Sequence, residues 1–187
     1  RSGFPLGSKY FEDEEGSFYA EVTETEDSYI GYPYIENGYV SKEKITLPKT
    51  IWKKKISPKD RVIKLHIPRG TKFSPETVEK SLDEAAEFVK KYYPEEKPSA
   101  ICCNSWLCDP QLSEILPETS NIANFGKRFS RFAQKSEGKD ALRFIFGIMD
   151  ENPDIDALPE DTSLFRALKN HYKSGKAIYE TTGYILI

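Results

Sequence analysis

The sequence predicts a mixed, α+β-like α/β domain: a central mixed sheet, an antiparallel meander ahead of it, and helices packed on it. Three observations lead there. Apolar and polar residues alternate in period two around an Asn-Gly pair, strand-like and helix-like runs alternate after that region, and two helical runs open with a capping residue followed directly by proline.

In chain order, Phe18, Ala20 and Val22 alternate with Tyr19, Glu21 and Thr23, as on a half-buried strand. Tyr29 to Ile35 and Tyr39-Val40 flank Glu36-Asn37-Gly38, and Asn-Gly between aromatic and β-branched runs is a strong hairpin signal because both residues tolerate positive φ. Lys44 to Leu47 and Ile51 to Ile56 extend the meander, with Pro48 confining the first to an edge or an end because it has no N–H for a ladder. Arg61 to Ile67 sets Ile63, Leu65 and Ile67 on one face of a strand and Val62, Lys64 and His66 on the other. Pro68-Arg69-Gly70 breaks it. Ser74 then caps a helix with Pro75 at its first position, and Val78, Leu82, Ala85, Val89 and Tyr92 form its apolar stripe before Pro94 stops it.

Ser99 to Leu107 is a nearly continuous apolar run, the pattern of a strand covered on both faces. Asp109-Pro110 opens a short helix through Leu116, and Ser120 opens another with Ile122, Phe125, Phe129 and Phe132 opposite Lys127, Arg128 and Arg131. Leu142 to Met149 is dense in Phe and Ile and predicts a central strand; Asp150 to Pro159 is a loop. Ser163 to Ser174 is an amphipathic helix closed by Gly175, and Ala177 to Ile187 is the closing strand.

Composition narrows the function classes. Residues 1–187 read as one domain with residues 1–10 a flexible lead-in, and the 38% hydrophobic and 13% aromatic content is enough to offset the cost of ordering the chain despite 30% charged residues. A chain that opens on Arg1 and holds its only methionine at Met149 reads as a fragment of a longer protein. The net charge of −3 argues against a nucleic-acid partner, which requires a cationic surface. With no long apolar run and no signal-like amino terminus, neither membrane insertion nor secretion is expected, and the cytoplasm follows by elimination. Cys102, Cys103 and Cys108 sit in one stretch with no cysteines elsewhere to bridge to, and His66 and His171 show no ligand spacing, so neither a disulfide framework nor a metal site is expected.

Two segments carry the candidate chemistry. His66-Ile67-Pro68-Arg69-Gly70-Thr71-Lys72 joins a strand to a helix start, where free backbone N–H groups attract phosphate or pyrophosphate; the same segment also suits a plain structural turn. Cys102-Cys103-Asn104-Ser105-Trp106 places thiol and polar groups at a strand end, where ligands of open α/β sheets bind, although buried cysteines act more often as small hydrophobes. His66 is a candidate general base.

Leu65-His66-Ile67-Pro68-Arg69-Gly70, Ser81-Leu82 with Ala85, Cys103-Asn104-Ser105-Trp106-Leu107 with Asp109-Pro110-Gln111-Leu112, and Ser120-Asn121-Ile122 with Phe125 together resemble the GNAT-like carboxyl-terminal domain of bacterial acyltransferases. The resemblance spans roughly Tyr29 to Phe132; the element order by itself also fits a doubly wound sheet. The resemblance implies a GNAT-like fold, a preceding amino-terminal domain of the same protein, and acyl-CoA or acetyl-CoA as co-substrate for an amine acceptor. It further implies that acyl-CoA lies between two splayed parallel strands, here Arg61 to Ile67 and Ser99 to Leu107, with Ile67, Arg69, Gly70, Thr71 and Lys72 toward the pyrophosphate.

Two departures stand out. Only one glycine lies between Pro68 and Ser74, where GNAT loops carry a Gly-x-Gly or Gly-x-Ala spacing, and Asn104 replaces the histidine of the family's Cys-His-Ser-Trp pattern. The expected reaction is direct attack of an amine on the thioester, with His66, Cys103, Asn104 and Ser105 as candidate catalytic residues; a ping-pong route through Cys103 is the less favoured variant. The competing reading is a GNAT-like binding or scaffolding module that recognises a protein or small ligand, using the tyrosine-rich hairpin from Tyr29 to Tyr39.

Overall fold

In the computed structural model, which describes residues 4, 10–13, 16–35, 40–57, 59–131 and 136–187, the period-two region forms two small antiparallel sheets. β1 (Tyr10–Asp13) pairs with β2 (Gly16–Tyr19), Tyr10 opposite Tyr19. β3 (Thr23–Glu24), β4 (Ser28–Gly31) and β5 (Ile45–Pro48) follow in the order β3-β4-β5, with Pro48 at the end of an edge strand. The Asn37-Gly38 turn lies outside the described residues; the flanking Tyr34 and Val40 form an antiparallel bridge. Ile51 to Ile56 does not extend the meander. The N–H groups of Ile51 and Trp52 turn back to the Pro48 carbonyl at 3.1 and 3.0 Å, ending the ladder.

The second half builds the mixed sheet. β6 (Val62–Leu65) leads through α1 (Pro75–Tyr92) to β7 (Ala100–Ser105), then through a 3₁₀ turn (Trp106–Cys108), α2 (Leu112–Ile115) and α3 (Asn121–Lys127) to the short β8 (Ser130–Arg131). α4 (Ser163–Lys173) precedes β9 (Thr181–Leu186), which enters between β7 and β8 to give the order β6-β7-β9-β8. β6 and β7 are parallel; the other pairings are antiparallel.

One face of this sheet holds the main core. Ile63 and Leu65 of β6, Ile101 and Cys103 of β7 and Ile185 of β9 pack with Val78 and Leu82 of α1 and with Phe125 and Phe129. Phe125 is central, its ring 5.1 Å from both the Phe73 and the Phe129 centroids. On the other face, Tyr184 packs with Ala20, Val40, Tyr32 and Tyr34, which seats the meander against the Tyr184 end of the sheet.

Leu142 to Met149 is not a central strand but a π-helical turn, Leu142–Phe146, closed by Gly147 at φ 72° and by a hydrogen bond from the Ile148 N–H to the Leu142 carbonyl at 3.2 Å. Its β-prone residues sit at helical spacing. Leu142, Ile145 and Phe146 turn inward, Phe146 stacking on Phe165 at 4.9 Å, while Phe144 is 68% exposed. The helix opened by Ser120 ends at Lys127, so Arg128 and Arg131 do not extend its cationic face: Arg128 pairs with Glu79 of α1, and Arg131 lies in β8, buried with its Nη2 donating to Ser113 Oγ at 2.7 Å. Finally, the α1 stripe is fully buried only at Val78 and Leu82, and Phe88, Tyr92 and Tyr93 form an exposed ring cluster.

Candidate functional site

The parallel ladder of β6 and β7 ends at Leu65 opposite Cys103, yet β7 continues against β9 through Asn104 opposite Thr182 and Ser105 opposite Thr181. The chain leaving β6 therefore parts from β7. It closes a tight turn in which both the N–H and the Oγ of Thr71 donate to the Pro68 carbonyl, at 3.3 and 2.6 Å. Gly70 sits at φ 82°, as the third residue of such a turn requires. Between this exit and α1 lies a cleft of about 110 Å³, its floor formed by Leu65, Phe73, Val78, Leu82 and Phe125. His66, Ile67, Thr71 and Lys72 line it, whereas Arg69 and Gly70 stand at the exposed tip of the turn. A larger hollow of about 300 Å³ lies at the opposite end of the strands, against Lys55, Ser99 and Ile187, away from every candidate catalytic group.

The start of α1 offers an anion less than its position promises. Ser74 Oγ accepts the Thr77 N–H at 3.4 Å, the Ser74 carbonyl accepts the Val78 N–H at 3.1 Å, and Pro75 has no N–H. Positive charge at this end comes instead from the exposed Arg69 and Lys72.

The predicted Cys-Asn-Ser cluster is split by the sheet. Cys103, 1% exposed, faces the core and is hydrogen-bonded to Cys108, whose thiol is pushed well above the ordinary range by Cys103 and by burial. Burial removes both from attack on an incoming substrate. Ser105 accepts the Leu107 N–H at 3.2 Å and so caps the 3₁₀ turn. Asn104 faces the other way and is exposed: its Nδ2 donates to Glu180 Oε1 at 2.6 Å and its Oδ1 accepts from Thr182 Oγ1 at 2.9 Å. Lys64 of β6 shares this face by strand alternation, whereas His66, beyond the end of β6, lines the cleft.

Glu180 escaped the sequence reading. A glutamate among β-formers near a chain end gives no local signal, and only the Asn104–Thr182 register across 78 residues reveals it. Its carboxyl is raised above the usual range by burial and by a hydrogen bond with Asp140, with Asn104 and Lys64 acting in the opposite direction.

A buried polar network underpins this end of the sheet. Asp109, 2% exposed, accepts the N–H of Tyr179 at 2.6 Å and both the N–H and Nε2 of Gln111 at 3.0 Å. Gln111 also donates to the Ala177 carbonyl at 2.9 Å and accepts from His171 Nε2 at 3.0 Å. The entry of β9 is thus pinned two residues before Thr181. Among the described residues no group of three His, Cys, Asp or Glu is arranged to hold a metal ion.

A parallel pair parting over a cleft, with an antiparallel strand inserted beside it, is the arrangement of a GNAT-like α/β domain. The chain matches the family described as the GNAT-like C-terminal domain over residues 5–185, and it belongs to that family. No curated protein matches the chain. Among solved structures, an acyltransferase in complex with CoA and 10C-teicoplanin is similar at 30% identity and TM-score 0.58, over 66% of this chain and 40% of that one. An acyltransferase in complex with decanoyl-CoA is similar in fold at 24% identity and TM-score 0.60, over 89% of this chain and 46% of that one. The chain spans less than half the length of these structures.

Proposed function

We propose that this domain serves acyl transfer from acyl-CoA, or acetyl-CoA, to an amine. The observation that carries the reading is the parting of β6 from β7 beyond Leu65 and Cys103, directly over the cleft that Ile67, Thr71 and Lys72 help to line. The acyltransferases similar to it in fold hold CoA or decanoyl-CoA, and one also holds 10C-teicoplanin. In this reading Arg69 and Lys72 meet phosphate charge, and the turn amides around Gly70 and Thr71 assist them. Leu65, Ile67 and Phe125 receive the apolar arm.

Because the chain spans less than half of those proteins, a further amino-terminal domain completing the acceptor site belongs to the proposal. A cytoplasmic, bacterial setting belongs to it as well. Among the described residues no helix is long and apolar enough to cross a membrane.

The test is a thermal shift with CoA, acetyl-CoA and decanoyl-CoA. Ligand at about 100 times its dissociation constant adds roughly 2.7 kcal/mol, a shift of several degrees for a chain of this size. No shift with any of the three contradicts the proposal.

One observation favours the binding-module reading. Tyr29 and Tyr32 are engaged by Lys49, Lys54 and Lys44 of their own region, at 5.2, 5.8 and 5.2 Å from the ring centroids. The exposed Phe88, Tyr92 and Tyr93 rings are the surface on which that reading rests.

A further inference from the structure

Direct attack on a thioester needs a group to take the proton of the attacking amine. Resting on the acyl-transfer reading, we propose that Glu180 is that catalytic base, held by Asn104 and Thr182 at the ends of β7 and β9 on the sheet face turned away from α1.

The other candidates fail on chemistry or position. An asparagine side chain has no basic site at neutral pH, so Asn104 cannot accept the proton. Cys103 is closed into the core against Cys108, and Ser105 Oγ is committed to the Leu107 N–H. His66 lines the cleft, but among the described residues no side-chain partner fixes its ring. Glu180 is the group the fold takes trouble to place. Thr182 Oγ1 donates to Asn104 Oδ1, which turns the amide so that its Nδ2 donates to Glu180 Oε1. The backbone of the same residue is pinned as well, its N–H donating to Ser136 Oγ at 2.8 Å. Two fixed points on one residue orient the carboxylate beyond the last β6–β7 rung, one strand from the parting, since neighbouring strands lie about 4.8 Å apart.

The amine nitrogen forms a C–N bond to the thioester carbonyl carbon, the C–S bond breaks, and CoA departs as a thiolate that solvent protonates. The N–H proton passes to a Glu180 oxygen. Asn104 is a positioning residue: it binds the Glu180 Oε1 and orients the carboxylate, which also meets Asp140. The charged groups acting on Glu180 are Asp140, which holds its proton more tightly, and Lys64 of β6, which loosens it. A base with a raised proton affinity is better suited to accept from an amine than an ordinary surface carboxylate is.

The experiment measures CoA release from decanoyl-CoA with glycinamide as the amine, across pH, in the full-length chain carrying Glu180→Gln or Asp140→Asn. Decanoyl-CoA affinity is measured in parallel by calorimetry. Glutamine still accepts the Asn104 hydrogen bond, so E180Q is expected to bind decanoyl-CoA within about twofold of wild type while turnover falls about 100-fold or more. D140N is expected to move the acid limb of the pH profile to lower pH, because Asp140 raises the Glu180 carboxyl. Should E180Q fold poorly, the D140N profile decides alone. Turnover by E180Q within about threefold of wild type, or an acid limb that D140N leaves in place, overturns the assignment. If the wild type neither binds nor turns over decanoyl-CoA, the acyl-transfer reading falls and the base falls with it; binding and turnover intact in E180Q sinks the base alone.

Discussion

Gly183 of β9 lies so close beneath Phe129 that a Cβ at position 183 would stand 2.7 Å from the Phe129 Cβ. The close approach lets the segment after α3 lie flat on the strand that also pairs with Cys103 and Arg131. Gly183→Ala is expected to destabilise the fold by about 1–3 kcal/mol through overpacking. Urea unfolding checks this: the midpoint should fall with the slope unchanged. An unmoved midpoint would mean that Phe129 has room to retreat.

Asp109 gives a pH dependence with a definite sign. Burial lifts its carboxyl from the ordinary 3.8 to about 6, against the hydrogen bonds from Tyr179 and Gln111 that favour the charged form. Between those values the folded state binds more protons than the unfolded state, so this contribution is full below about pH 4 and is lost as the pH rises toward 6. His171, lowered by burial from 6.5, has the opposite sign: its contribution is present above that value and is lost as pH falls through the folded one. Unfolding free energies of wild type and Asp109→Asn between pH 4 and 7 separate the two. The wild type should lose stability relative to the variant over roughly pH 4 to 6.

Lys169 of α4 is buried, and its ammonium donates to the carbonyls of Asp156 and Leu158 at 2.8 and 2.9 Å and pairs with Glu160 at 2.8 Å. It ties the acidic loop to the helix. Lys169→Met removes these charge-assisted bonds and strands two carbonyls, an expected cost of about 2–4 kcal/mol. Limited proteolysis reads it out, with faster cleavage within residues 150–160.

The alternation of elements was legible because each signal was local. Ser74-Pro75 fixed the start of α1, and Gly175, at φ 79°, closed α4 as its position after a polar turn implied. Leu142 to Phe146 was misread because its residues favour strands one by one, while the spacing of Leu142, Ile145 and Phe146 is helical and Gly147 ends the turn. At the site, the residues of the β6 exit were readable as a strand-to-helix junction. The Asn104–Glu180 pair was not, because it depends on β9 inserting beside β7, a long-range pairing that leaves no periodic trace.

Gly70 adopts φ 82° with nothing within 4 Å of where a Cβ would stand, so substitution there strains the backbone without a clash. Gly70→Ala is expected to cost about 1 kcal/mol of stability and to weaken acyl-CoA binding by opening the Pro68–Thr71 turn. Denaturant unfolding and ligand titration of the same variant check both. Binding unchanged in a destabilised variant would remove the turn from the CoA site.

The most direct test of the account is calorimetric titration of decanoyl-CoA into the wild type and into Ser81→Trp. Ser81 is exposed on α1 and lines the cleft beside the β6 exit, so tryptophan there fills the cleft without entering the core. Saturable binding to the wild type that falls at least about tenfold in the variant, with unchanged thermal stability, is the predicted result. Equal affinity in the two proteins, or no binding to the wild type, would contradict the placement of acyl-CoA at the parting of β6 and β7.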